Sequence, residues 1–431
     1  MAHKILVVGS GGREHALAKK LNESRYAQEV YCAPGNVGMT ELGIICVDIT
    51  ATDIDGLIAF VQKEGISFTV VGPEAPLAMG IVNRFTEAGL KIFGPTQEAT
   101  KLESSKIFAK MLMTDPENNI PTAKFAVFFS IPEVYDYLRR NNFPKVIKLS
   151  GLEAGKGVCV CHNMDEATAF LNQISNGKFN SAEEGIIVED FLRGEEASYF
   201  TFVSLDGSYL PLATAQDHKP VFDDDKGPNT GGMGAYSPAQ IITPSVDEKI
   251  RKRIIEPTIA AMLKRGTPYS GTLYVGLMID GNDDPWVVEY NARPGDPETQ
   301  PIFSRMVSDL VRILIQAISY GRLQDMRVEW NPNPSVCVIM AKEGYPGDYE
   351  KGSIITGVDQ ANELEDVYVF HSGTATNSEG KLITTGGRVL GVTASGRDIE
   401  SAISLAYGAT KLISFQGMHY RTDIGRKAIG R

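Results

Sequence analysis

A chain of 431 residues is too long for one ordinary hydrophobic core, and at about 150 residues per domain roughly three units are expected. With 43% hydrophobic and 22% charged residues the composition is globular, which argues against wholesale disorder. Lys and Arg number 42 against 53 Asp and Glu, and the net charge of −11 opposes binding to the polyanionic backbone of a nucleic acid. It does not oppose a small anionic substrate, because a few local Lys, Arg and backbone amides outweigh a diffuse, screened surface charge. Five Cys, an odd and scattered set, make no disulfide framework. No basic-then-apolar leader is legible, and no apolar run reaches the roughly 18 residues that span a bilayer. A cytoplasmic, reduced chain with no membrane partner is expected.

In chain order, Lys4 to Gly9 is a short continuous apolar run of the kind found in buried parallel strands. A glycine turn and a helix over Arg13 to Leu21 follow, then strands at Val30 to Asn36, Ser67 to Glu74 and Lys91 to Pro95. Most of these strands end in Gly or Pro with a polar residue, as loops at the ligand-binding edge of a doubly wound sheet do. A helix is predicted from Lys101 through Met113, and beyond it short strands with turn glycines at Lys145 to Leu149, Gly157 to Val160 and Gly185 to Glu189. The alternating prolines of Asn331-Pro332-Asn333-Pro334 disfavour helix and central strand alike and mark a boundary. Strands at Ser335 to Ala341, Val367 to His371 and Arg388 to Thr393, with a helix near Asp398 to Ile413, close the chain. The expectation is an α/β and α+β multidomain protein with units at 1–101, 102–327 and 328–431.

Two glycine-rich turns carry most of the chemical signal. Gly9-Ser10-Gly11-Gly12-Arg13-Glu14-His15 joins a strand to a helix, where glycines let backbone amides approach an anion favoured by the helix dipole. It departs from the dinucleotide fingerprint at Glu14, and the second strand ends in Ala-Pro-Gly-Asn without a ribose-binding acid. This turn reads either as a site for a single phosphate or phosphosugar or as a tight turn with no ligand. Gly151-Leu152-Glu153-Ala154-Gly155-Lys156-Gly157 is one residue short of a P-loop and lacks its metal-binding Ser or Thr. Between two apolar strands it is a hairpin, able to cover phosphates or merely to turn at the surface.

Its surroundings favour the first reading. Lys148 sits among apolar strand residues, where a cation requires an anion, and Glu189 to Glu196 end another strand. In Trp286 to Arg293, alternation places Glu289, Asn291 and Arg293 on one face at about 6.5 to 7 Å per step. Two hard oxygen donors followed by a guanidinium suit a magnesium-phosphate site, although a solvated strand face would have the same pattern. Cys159-Val160-Cys161-His162 offers at most three soft ligands and reads as structural, and among six His only His15 and His218 lie in polar, glycine-flanked motifs. No covalent nucleophile is evident.

The strings Gly9 to Ala16, Val71 to Leu77, Gln216 to Lys219, Gly227 to Pro238, Gly295 to Gln300 and Thr385 to Val389 together resemble the phosphoribosylamine-glycine ligase (glycinamide ribonucleotide synthetase) family of the ATP-grasp superfamily. The resemblance implies a Rossmann-like N-terminal domain, an ATP-grasp clamp with a mobile lid lobe over about 122–191, and a small C-terminal α+β domain. It implies joining of glycine to 5-phospho-β-D-ribosylamine through glycyl phosphate, with ATP as co-substrate and Mg2+ or Mn2+ as cofactor, in a protein expected to be a monomer. For ATP it implies Lys106, Lys148, Gly155, Lys156, Gly157, Glu189, the backbone of Asp190 and Leu192, and Glu196 for the ribose. For metal it implies Glu289 and Asn291, and for the transferring phosphoryl group Arg293, with Lys148 beside it. For the remaining substrates it implies Gly11, Gly12, Arg13, Asn36, Glu74, Asp217, Lys219, Arg293 and Asp296. Ser150, Glu153 and Pro294 depart from the family pattern, and Glu153 is expected to face solvent. Competing readings are another ATP-grasp ligase or carboxylase, a nicotinamide-dependent oxidoreductase, and a non-catalytic nucleotide-binding protein.

Overall fold

A computed structural model describes residues 2–153, 156–179 and 184–430. The first unit is a five-stranded parallel sheet in the order Ile45–Cys46, Ala27–Pro34, His3–Gly9, Phe68–Val71, Ile92–Phe93. Ile5 to Val8 are fully buried because both faces of the sheet are covered. Ile5 and Val7 pack with Leu17 and Leu21 on one side, and that core continues into Phe303 and Leu310 of the following unit. Leu6 and Val8 pack on the other side with Leu57, Val61 and Phe85. Strand alternation therefore decides which face joins the rest of the molecule.

The single helix expected from Lys101 to Met113 is two, Gln97–Ser104 and Lys106–Thr114. Ser105 between them is extended and its side chain accepts from the Phe108 amide, so a competent N-cap restarts the helix. The restart places Lys106 at the first helical position, facing the cleft described below.

Two antiparallel sheets follow. The first runs Phe125–Phe128, Ile186–Asp190, Lys145–Leu149, Val158–Cys161, backed by helices Ile131–Arg139 and Met164–Ser175. The hairpin joining Lys145–Leu149 to Val158–Cys161 is the second glycine turn, with Lys148 opposite Val158. The second sheet runs Tyr209–Pro211, Glu195–Val203, Gly271–Ile279, Pro285–Asn291. A further sheet is built on Ser335–Lys342, Arg388–Ser395 and Val367–His371, and it also takes in Gln216–Asp217 and Gly234–Ser237 from the middle of the chain. Asp217 is thus anchored in the sheet of the last unit while it serves a cleft built by the middle one.

Candidate active site

A cleft of about 300 Å³ opens between the two antiparallel sheets and is closed at one end by the first and last units. One end is a buried charge network. Lys148 Nζ lies 3.0 Å from Glu189 Oε2 and donates to the Val288 carbonyl at 3.0 Å. Lys110 Nζ lies 3.1 Å from the other Glu189 oxygen and donates to Thr122 at 2.7 Å. Lys110, Lys148 and Glu189 are all under 5% exposed, so each charge requires the others. Burial lowers the Lys110 ammonium to about 8 against the pull of Glu189. Lys106 Nζ donates to the Gly151 carbonyl at 3.0 Å, tying the helix start to the second glycine turn. Burial lowers its pKa, with Glu289 acting in the opposite direction.

Glu289, Asn291 and Arg293 all line the cleft, although the strand ends at Asn291 and Arg293 lies just past it. Burial pushes the Glu289 carboxyl up, but Lys219, Lys148 and Lys106 outweigh it and hold it at about 2. Lys219 Nζ is 3.1 Å from Glu289 and 3.4 Å from Glu196. Arg293 reaches Glu74 at 3.1 Å, Glu103 at 3.2 Å and the Asn291 amide oxygen at 3.1 Å. Burial pushes the Glu74 carboxyl up too, yet Arg293 and Arg13 bring it to about 2. The Asn291 amide nitrogen is buried with no hydrogen-bond partner among the described residues. Glu289 offers hard oxygens to a divalent cation that keeps water and phosphate oxygens in its shell, whereas the Asn291 oxygen accepts from Arg293 and must give up that bond to join it, its free N–H suiting a phosphate oxygen instead. Among the described residues no cluster of three or more His, Cys, Asp or Glu forms a self-sufficient metal cage.

The cleft also gathers Arg13, Glu74, Gly157, Asp190, Leu192, Glu196, Asp217, Lys219 and Asp296 from the predicted set. The Asp190 carboxylate is held by Lys145 at 2.5 Å, turned toward its own strand neighbour, and Asp296 is held by Arg388 at 2.6 Å and Gln300 at 2.9 Å. Lys156 is exposed outside the cleft wall, and Gly155 lies outside the described residues.

Gly11, Gly12 and Asn36 are not brought into the cleft. The Gly11 amide donates to the Glu14 carboxylate at 2.6 Å, and the Gly12 amide donates to Ser372 Oγ at 3.0 Å. Asn36 Nδ2 donates to the Ser10 and His371 carbonyls at 2.8 and 2.9 Å. Glu14, which broke the dinucleotide fingerprint, is the internal anion of this turn, and it also pairs with Arg13. Glu153 departs from expectation: it lies on the cleft wall, and its charge reaches Lys106.

Sequence reading missed Lys110, Glu103, Glu298 and Arg388, all of which line the cleft. Glu298 and Arg388 fall inside the distinctive strings, a signal that was available. Lys110 and Glu103 sit in ordinary helix patterns and carried none. His15 and His218, the two His singled out, are both buried, the first bonded to the last unit through Tyr368 and the His371 amide. Cys159 and Cys161 lie side by side, Sγ to Sγ 3.6 Å, on the helix-covered side of the first antiparallel sheet.

A lysine-lined cleft between two antiparallel sheets, floored by a Glu-x-Asn-x-Arg strand and attached to a parallel-sheet unit, defines the ATP-grasp class of ATP-dependent ligases. The descriptions "Phosphoribosylglycinamide synthetase, N domain", "ATP-grasp (A) domain" and "C domain" match residues 3–103, 104–299 and 335–427. The chain is 50% identical to a phosphoribosylamine–glycine ligase of Neisseria meningitidis serogroup B, over 99% of this chain and 100% of that protein. It is 46% identical to the one of Vibrio parahaemolyticus, over 99% of each. The crystal structure of phosphoribosylamine–glycine ligase from Thermotoga maritima matches with a TM-score of 0.81 at 31% identity, covering 97% of this chain and 99% of that one. Biotin carboxylase from Campylobacter jejuni shares the fold alone, with a TM-score of 0.71 at 14% identity over 97% of this chain and 93% of that one. The chain belongs to the phosphoribosylglycinamide synthetase family.

Proposed function

We propose that the cleft joins glycine to 5-phospho-β-D-ribosylamine with consumption of ATP, giving glycinamide ribonucleotide, ADP and phosphate in purine biosynthesis. The observation that carries this is convergence. Lys106, Lys148, Glu289, Asn291 and Arg293 meet Arg13, Glu74, Asp217 and Lys219 in one cleft closed by three units.

The glycine carboxylate attacks the γ-phosphate to give glycyl phosphate, and the sugar amine then displaces phosphate. Neither step needs a protein nucleophile, so positioning and charge stabilisation do the work. Lys106 and Lys148 hold the ATP phosphates, the turn ending at Lys156 and Gly157 covers them, and the backbone of Asp190 and Leu192 meets the adenine. Glu189 fixes Lys148 from behind, and Glu196 accepts from the ribose hydroxyls. Arg293, aimed by Glu74 and Glu103, stabilises the transferring phosphoryl group. Glu289 and Asn291 would hold Mg2+ or Mn2+, which when bound neutralises phosphate charge. Arg13, Glu74, Asp217 and Lys219 contact the phosphosugar. Asp296 acts from one layer back, since its carboxylate is engaged by Arg388 and Gln300. The protein acts as a cytoplasmic monomer with no nucleic-acid partner, and no helix among the described residues is long and apolar enough to cross a membrane.

The test combines magnesium-ATP, freshly generated phosphoribosylamine and glycine, and follows ADP and the amide. ADP release requiring both co-substrates is expected, with turnover abolished in Glu289→Ala. ADP release that responds to bicarbonate and ignores glycine would assign a carboxylase instead.

A further inference from the structure

Making the amide releases one proton from the attacking nitrogen, and the cleft contains many carboxylates but few that are not already paired. Glu289 and Glu196 are paired with Lys219, Glu74 and Glu103 with Arg293, and Asp296 with Arg388. Glu189 lies between two lysines. Asp217 differs: its carboxylate has no hydrogen bond or ion pair among the described residues, although it lines the same cleft.

Its position is fixed from behind. Gln216 and Asp217 pair with Tyr236 and Ala235 of the neighbouring strand. The side chain of Gln216 donates to Glu195 at 2.9 Å and to the Glu196 carbonyl at 2.7 Å, and it accepts from the Tyr236 hydroxyl. His218 is 1% exposed, with its amide bonded to the Gly234 carbonyl at 2.9 Å. Strand alternation then turns Asp217 and Lys219 the other way, into the cleft. A side chain on a backbone held this firmly, itself left unpaired, has the geometry of a group kept for a substrate.

We propose that Asp217 is the catalytic base of amide formation. This rests on the ligase reading above. The amine nitrogen bonds to the carbonyl carbon of glycyl phosphate, the bond from that carbon to the phosphate oxygen breaks, phosphate leaves with the electron pair, and the proton on nitrogen passes to the Asp217 carboxylate. The groups facing it are Lys219 from its own strand end, Glu196 and Glu289 from the floor strands, Glu298 from the loop after Arg293, and Tyr274. Burial raises the Asp217 carboxyl to about 8, with Lys219 opposing and Glu298, Glu196 and Glu289 reinforcing. A carboxylate so placed is more basic than an ordinary one, which suits it to take a proton from an amine as the new bond forms.

The experiment separates the two half-reactions in the full chain. Hydroxylamine stands in for the sugar amine as acceptor of glycyl phosphate and gives glycine hydroxamate, and amide formation from phosphoribosylamine reports the second half. Asp217→Asn is expected to keep ATP- and glycine-dependent hydroxamate formation within about threefold. Its kcat for amide formation should fall by about 100-fold or more, with loss of the acidic limb of the pH profile, as removal of a general base requires. An amide kcat within tenfold of the parent overturns the proposal, and so does hydroxamate formation falling in parallel, which marks a structural role. Loss of the acidic limb in Glu298→Gln instead would assign the base to Glu298 and overturn it as well. If the parent protein forms neither hydroxamate nor amide, the ligase reading fails and the proposal falls with it.

Discussion

The two glycine-rich turns look alike as sequence and differ in what their backbones face. At Ser10 to Arg13 the amides of Gly11 and Gly12 already have acceptors, the Glu14 carboxylate and the Ser372 hydroxyl of the last unit. In the second turn Leu152, Glu153 and Gly157 line the cleft, and the Gly151 carbonyl is the anchor for Lys106. The first turn is a joint between units, and the second borders the cleft that it is proposed to cover. Glycines permit a close approach, and whatever supplies the acceptor decides whether that approach serves packing or a ligand.

The widest separation between the two turns should come from Glu14. Glu14→Leu leaves the Arg13 guanidinium buried beside Glu14's former place and removes the acceptor of Gly11, so a stability loss of about 3 to 5 kcal/mol is expected. Thermal unfolding checks this, and the KM for ATP should stay unchanged. A stable variant with a raised KM for ATP would mean that the first turn belongs to the nucleotide site.

At the second turn the effect should reverse. Among the described residues no carboxylate is bonded to Lys106, so Lys106→Met breaks no ion pair. The expected result is a fall of about 100-fold in kcat/KM for ATP with little change in Tm, since the lost ammonium acts on phosphate. Steady-state kinetics beside a melting curve checks both halves.

The joint at the first turn should also weaken in acid. His371 donates its amide to His15, Gly38 packs against both rings, and burial lowers His371 to about 4. Because the folded pKa lies below that of the unfolded chain, the unfolded state binds more protons between about pH 6.5 and pH 4. Stability is then fully present above that window and falls as pH drops through it, by at most about 1.4 kcal/mol per pH unit for this group. Chemical denaturation at pH 7 and pH 5 measures the slope, which should shrink in His371→Asn.

How much of this was legible in the sequence follows from the range of each interaction. The parallel strands, the hairpin and the last-unit strands were readable because apolar runs and turn residues are local signals, and Lys145 to Leu149 is a strand over the same residues as predicted. The break at Ser105 was missed because hydrophobic spacing continues across it while the cap does not depend on spacing. Lys148, Glu289, Asn291 and Arg293, which all line the cleft, stood out because a charge inside an apolar strand, or an alternating acid-amide-guanidinium row, is anomalous within a few residues. Ser372 as the partner of Gly12 was not, because that contact joins positions 360 residues apart. Glu103 as the partner of Arg293 was hidden for the same reason.

Glu153 provides the finest test of what the cover turn does. It was expected to face solvent, on the argument that a carboxylate facing inward would repel phosphate. It lies on the cleft wall, where its charge raises the pKa of Lys106 while Lys148 and burial lower it. Near a lysine destined for a phosphate, the acid has two opposing effects. It keeps Lys106 protonated in the empty cleft, and it repels ATP as ATP enters. Once bound, the ATP phosphates themselves favour the Lys106 ammonium, so the repulsion is the effect that remains. Glu153→Ala is then expected to lower the KM for ATP by about threefold, a difference near 0.7 kcal/mol, without changing Tm. A raised KM would show that Glu153 holds the lysine in place and that the cover turn orders the site before ATP arrives.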